Sequence, residues 1–338
     1  MSLNIKGQVE AILKLLEQTT SKDVLTDFLK EKQLHFSGTW EELFSKRVYP
    51  AVESSEIKLE ELVELLAKSE ETGRQHIFLY QLPESELGNL SSEKLLEKLK
   101  IANLSTLLAN PLVLDKPEEP TISAVRFDKD GCFVLKAIST RTRYEYIGDV
   151  VENDILQKRY NIIKSRAISL FKLHTSGLVE IRISSKSHTT KYQEDVDAFL
   201  KMLEPIVPRL KVTSFPLCLF NAKNKIWENK NTLSDVLRFS DATLKNNNGT
   251  TLRAATGDRD SDLLDDKAAA SSMEQFTGDD VYCETNNIFF KKVKGQEVPS
   301  REVHVLMSGE VNEFTITAYC KDSDYEYILK NLLKFNEE

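Results

Sequence analysis

Along the first hundred residues the apolar positions recur every three or four, the period of an amphipathic helix. Ile5, Val9, Ile12, Leu13 and Leu16 share one side of a first helix. Val24, Leu25, Phe28 and Leu29 line a second that begins after Ser21, an N-cap residue. Leu43, Phe44 and Val48 face inward on a third, capped by Thr39 and ended by Pro50. Leu59, Leu62, Val63, Leu65 and Leu66 mark a fourth, closed by Gly73. The run from Gln75 to Leu82 is apolar throughout and too short for a helix, so it predicts a core strand. A further helix runs from Ser91 or Ser92 to Lys100, and Pro111, Pro117 and Pro120 place a segment boundary near residue 115.

From Thr121 the period changes to two. Residues 122–127 and 132–137 form a hairpin around Asp128–Gly131, and Arg141 to Ile147 adds a third strand. Residues 150–163 are ambiguous. Ile168–Leu173 and Leu178–Ile183 then flank the turn His174–Gly177, and Thr190 caps a helix over 191–203. The same hairpin-then-helix unit returns at 303–319, followed by a helix from Asp322 or Ser323. Between the two units, 211–220 reads as an edge strand interrupted by Pro216, and Asn231 caps a short helix to Phe239. Residues 241–280, poor in large apolar groups, read as a polar excursion. The expected fold class is α+β: a helical segment 1–115, a basic antiparallel segment 121–230 and an acidic segment 231–338.

Charge sharpens this division. The net charge is −8, distributed as −7 over residues 1–120, +7 over 121–230 and −8 over 231–338. Between Lys158 and Lys191 stand eight bases, Lys158, Arg159, Lys164, Arg166, Lys172, Arg182, Lys186 and Lys191, against the single acid Glu180. Such a stretch suits phosphate contacts that ignore sequence and weaken with salt. Lys164, Arg166 and Arg182 alternate with the apolar set and are expected on a solvent face. An acidic protein is the competing partner for the same surface.

The segment VLTDFLKEKQLHFSGTWEELFSKRV, residues 24–48, resembles the SAP motif, a helix-extended-helix DNA-binding module. The matching residues are Leu25, Leu29, Leu34, Ser37-Gly38-Thr39, Glu42, Leu43 and Arg47. The resemblance implies that the start of the second helix meets duplex DNA, with Thr39 and Arg47 at the contact. Trp40 stands where that family has a basic residue, and Gln33 where it has a turn glycine. Independently of the family, a Ser-Gly-Thr turn before a helix offers free N–H groups to an anion. The other reading is an ordinary helical hairpin with Trp40 packed on the Gln75–Leu82 strand.

Catalytic signatures are not evident. Cys132, Cys218, Cys283 and Cys320 lie far apart, as do His35, His76, His174, His188 and His304, so no metal and no cofactor are expected. Glu180-Ile-Arg182, with Asp149 or Asp154 upstream, is the nearest approach to a carboxylate-metal nuclease, but arginine cannot give up a proton as that chemistry's lysine can. Glu180 and Arg182 are expected on the solvent face of the hairpin. Asp258, Asp260, Asp262, Asp265 and Asp266 read as a solvated charge run. No phosphate-cradling loop or nucleophile elbow occurs. The expected function is non-catalytic binding of nucleic acid, most simply duplex DNA; a protein-interaction adaptor is the alternative, and a nuclease site assembled only by the fold is a third. With no long apolar run and no secretion-type start, the chain is expected in the cytoplasm or on the chromosome.

Overall fold

The computed structural model describes residues 3–186, 191–208, 210–276 and 281–337. Helices Leu3–Thr19, Lys22–Glu31, Trp40–Leu43, Tyr49–Glu53 and Leu59–Glu71 enclose a core of their own, built on Val9, Leu13, Leu25, Leu29, Leu43 and Leu62. Everything else gathers on one sheet of eleven strands: β1 Gln75–Gln81, β2 Thr121–Phe127, β3 Phe133–Glu152, β4 Ile155–Leu173, β5 Leu178–Ser184, β6 Phe215–Pro216, β7 Leu237–Asn246, β8 Thr251–Ala255, β9 Val281–Phe290, β10 Val303–Met307 and β11 Glu313–Ile316. Their order is β2-β3-β4-β5-β1-β11-β10-β9-β7-β8, with β6 paired to β1, and every pairing is antiparallel. The fold is α+β, as the change of period implies. The apolar strand of the first segment, β1, sits mid-sheet and joins the other two segments.

Alternation along β1 sends Phe78 to one face and Ile77 and Leu79 to the other, where two separate cores form. Helix Gln193–Leu203 covers the first through Val196, Phe199, Leu200 and Leu203. Helix Asp322–Glu337 covers the second through Tyr325, Ile328, Leu329 and Leu332. The two hairpin-helix units therefore lie on one sheet with their helices on opposite faces. Thr190, expected to cap the first of these helices, falls outside the described residues.

Three local expectations are corrected. Residues 210–213 are helical, and the strand after them shrinks to Phe215–Pro216 because proline interrupts the ladder. The short helix is Phe220–Glu228, and Leu237–Phe239 belong to β7. The polar stretch after 241 is built into the sheet edge: Leu244, Leu263 and Met273 are buried in the main core, with β8 and helix Lys267–Gln275 between them. A few well-spaced apolar residues suffice there because the stretch only covers an edge. Among the described residues no helix is long and apolar enough to cross a membrane.

Candidate functional site: a buried ion network and a projecting arm

The register of the central strands decides where the basic side chains go. Lys136, Leu170, Arg182 and Ile77 form one cross-strand row, and Val134, Lys172, Glu180 and Leu79 the next. The face carrying these rows is roofed by the end of helix Leu59–Glu71 and by helix Asp322–Glu337, so its charges are internal. Glu180 is fully buried; it accepts from Arg182 Nε at 2.9 Å, from the Tyr325 hydroxyl and from His174. Arg182 also donates to the Glu71 carbonyl at 2.8 Å, and its guanidinium lies 3.8 Å from the Tyr325 ring centre. Lys172 reaches Glu326 at 2.8 Å. Burial opposes ionisation of Glu180, but Arg182, His174 and Lys172 more than offset it and hold the carboxyl well below its ordinary range.

A second knot adjoins the first. Glu70 is held by Lys136 at 3.1 Å and by Arg166, whose Nε also donates to the Leu114 carbonyl at 2.7 Å. Glu71 receives both terminal nitrogens of Arg126, at 3.0 and 2.7 Å. The knot floors a cavity of about 700 Å³ between the helical core and the β2 edge, walled by Ile12, Val63, Leu107 and Pro111. Its charges are already paired with one another, which is the behaviour of a structural cluster.

These contacts correct the expected basic face. Arg166, Lys172 and Arg182 are interior, not solvent-facing, and Glu180 with them, because helices distant in sequence cover the polar side of the alternation. Lys186 pairs with Asp195, and Arg159 with Glu152 at 3.0 Å. Lys158, Arg159, Lys164 and Lys191 remain exposed. Asp149 and Asp154 belong to a part of the hairpin beyond the sheet and do not join Glu180 in a metal-binding group; among the described residues no set of three or more His, Cys, Asp and Glu side chains is placed to hold a metal.

Nor does the network contain an activated nucleophile. Cys132 lies 3.5 Å from His174 Nδ1, and His174 in turn meets Glu180, a row that sequence spacing concealed. The thiol donates to Asp130 at 3.1 Å, and burial together with that carboxylate pushes it up to about 12. A nucleophilic cysteine needs the opposite shift.

At the helical end, helices Lys22–Glu31 and Trp40–Leu43 flank an extended connection in which Gln33 has φ 59° and Gly38 φ 139°. Thr39 is exposed and forms a reciprocal capping box with Glu42, accepting from its N–H at 3.3 Å and donating its own to the carboxylate at 3.1 Å. That carboxylate occupies the helix start where an anion would bind. Arg47 is half-buried and donates to the Lys46 carbonyl. Trp40 is also half-buried, 5.5 Å from the Phe44 ring at the margin of the helical core, and not against β1 as the packing alternative required.

No family model matches this chain, and no curated protein does. What it offers to a partner must be read from its own surface.

One feature stands out there. β3 and β4 stay paired out to the turn Asn153-Asp154, both with positive φ, the pattern of a tight type I′ hairpin. β2 leaves the ladder at Ile138 and β5 at Ser169, so the outer part is a two-stranded ribbon about 45 Å long at ~3.3 Å per residue. A bulge at Ile147, between the Tyr146 and Gly148 pairings, shifts the phase of β3. As a result Tyr144 with Ile162, Tyr146 with Tyr160, Asp149 with Lys158 and Val151 with Leu156 all fall on one face. The six apolar members of that face are 48% to 68% exposed. The other face carries Arg143, Glu145, Asn161, Arg159, Gln157 and Glu152, and with them the apolar Val150, Ile155 and Ile163. Five bases and four acids lie between residues 141 and 164, so the ribbon is nearly neutral.

Proposed function

We propose that this protein is a non-catalytic binding subunit that docks a protein partner through the aromatic face of the β3–β4 arm. The observation that carries the reading is the set of six large apolar side chains on one side of a ribbon that no other element among the described residues covers. At ~100 Å² for each half-exposed large side chain they present on the order of 600 Å², at the upper end of what a monomer leaves open without a use for it. A lone two-stranded ribbon is also marginal in water, so a partner would stabilise the arm as much as the arm holds the partner. Charge argues for protein over nucleic acid. Phosphate neutralisation needs a surplus of cations, and most of the basic stretch is committed to Glu70, Glu152, Glu180, Glu326 and Asp195. Duplex DNA remains the competing partner through Lys158, Arg159, Lys164 and Lys191, with Thr39 and Arg47 of the SAP-like turn as a second contact.

A photo-crosslinking phenylalanine derivative in place of Tyr146, irradiated in intact cells, tests the reading. It predicts a discrete adduct that protease removes and nuclease leaves. A nuclease-sensitive adduct, or none, overturns it.

A further inference from the structure

We infer that the cavity beneath the helical core is a binding site for a small apolar carboxylic acid, held by its carboxylate on Lys136 and Arg166. The site lies in a different part of the molecule from the arm and does not depend on what the arm docks. Space, wall chemistry and an excess of hydrogen-bond donors carry the inference.

At about 700 Å³ the cavity falls within the roughly 300–1,000 Å³ of small-molecule sites. Several elements meet around it without filling it: Ile12 from helix Leu3–Thr19, Val63 and Leu66 from helix Leu59–Glu71, Leu107 and Val113 from the segment before β2, and Val125 from β2 itself. Packed interiors keep few voids larger than a water molecule. A hollow with such walls suits a hydrocarbon body better than solvent, because water away from the floor would find few partners.

The floor is polar, and its hydrogen-bonding capacity is lopsided. Every carboxylate oxygen there is taken: those of Glu70 by Lys136 at 3.1 Å and by Arg166, those of Glu71 by Arg126 at 3.0 and 2.7 Å. Arg126 is spent in turn, since its Nε goes to Asp128 at 2.7 Å. Lys136 and Arg166 are not. The Lys136 ammonium has three N–H groups to give, makes one hydrogen bond among the described residues and stands 3.5 Å from a Glu71 oxygen. Arg166 uses Nε on the Leu114 carbonyl and Nη1 on Glu70, which leaves Nη2 without a partner among the described residues. Both bases line the cavity, and their side chains are only 7% and 4% exposed. Because they grip the two oxygens of one carboxylate, their remaining donors lie close enough for a second carboxylate to meet both.

The head group follows from that count. An ammonium would find no unclaimed oxygen on the floor, and a bare hydrocarbon would leave buried donors unmet. A carboxylate supplies the acceptors and balances two cations that share Glu70. Asp128 does not line the cavity; Glu60 and Glu64 do, but both are exposed, with Glu64 paired to Lys68 at 2.7 Å, and salt screens charges so placed.

Titration calorimetry and melting of the full chain test the site, with decanoate, decanol and decylamine as probes below their micelle concentrations. Decanoate should bind once per chain and, at saturation, raise Tm by at least about 2 °C, since a ligand of the folded state stabilises it. Decanol should bind at least about tenfold more weakly, and decylamine not measurably. Ala11→Trp, at an exposed lining position, and Ala67→Leu, at a half-buried one, narrow the cavity and leave the floor intact. Each should weaken decanoate at least about tenfold with the ligand-free melting curve unchanged; the two positions lie on different helices, so if one variant melts early the other decides. A wild type that binds no decanoate, decanol or decylamine binding as tightly as decanoate, or undiminished affinity in the variants overturns the site.

Discussion

Replacing Arg182 with leucine separates an interior ion network from a surface basic patch. The substitution strands Glu180, which has no exposed surface, beside an apolar side chain, and frees the Glu71 carbonyl and the Tyr325 ring that the guanidinium covered. Removing one member of a buried pair costs about 3–5 kcal/mol, most of it the burden of the charge left behind. For a chain of this length that corresponds to a fall in Tm of roughly 4–7 °C. Urea unfolding followed by circular dichroism reads the same loss as a lower midpoint at unchanged slope. A second readout follows from the remaining carboxylate. Without Arg182, Glu180 relieves its burial by taking up a proton, so the deficit relative to wild type should shrink between pH 7 and pH 4. Lys164→Glu, on the exposed part of β4, serves as the control and should shift stability by no more than about 0.5 kcal/mol. A loss below about 1 kcal/mol for Arg182→Leu, or one equal at both pH values, would refute the network.

Three further outcomes are expected. Glu180 and Glu71 both titrate below their ordinary range: burial raises each, but Arg182 and His174 outweigh it for Glu180, and Lys136 and Arg126 for Glu71. Their contribution is complete above the unfolded carboxylate value near 4.5 and disappears as pH falls through the depressed folded values, so acid unfolding should set in below about pH 4.5 and begin at higher pH in Arg126→Leu. Of the four thiols, Cys218 is exposed while Cys132, Cys283 and Cys320 are buried with thiols pushed up to about 12, so a thiol reagent at pH 8 should modify one cysteine per native chain and four after denaturation. Gly73 has φ 81°, and an added Cβ would sit 2.3 Å from the Ala318 carbonyl oxygen, so Gly73→Ala should cost at least about 2 kcal/mol in equilibrium unfolding.

The helical first segment, the core strand and both hairpin-helix units were legible because each follows a local period. The arm was not, and the bulge at Ile147 explains why. Tyr144 and Tyr146 point to its aromatic face from even positions of β3, Asp149 and Val151 from odd ones, so the alternation breaks phase where the ribbon leaves the sheet. Sequence therefore left residues 150–163 without a reading. The buried charges failed for another reason. Lys172, Glu180 and Arg182 do alternate with apolar residues, but the helices that roof their face come from residues 59–71 and 322–337, and no local pattern announces a cover so far away. One hint was present: Glu70 and Glu71 end a helix, where the macrodipole disfavours acids, and such placement asks for cationic partners. At the turn after Gly38, the cap by Thr39 was readable, and so was its completion by Glu42 three residues on.

That the arm binds through its apolar face is tested most directly by backbone hydrogen exchange over residues 143–163 in the assembly isolated intact from cells. A free two-stranded ribbon exchanges quickly, since its outer amides have no neighbouring strand. The account predicts protection of at least about tenfold at 144–151 and 155–162, lost when Tyr146 and Leu156 are both changed to lysine. Equal, rapid exchange in the two proteins would contradict it.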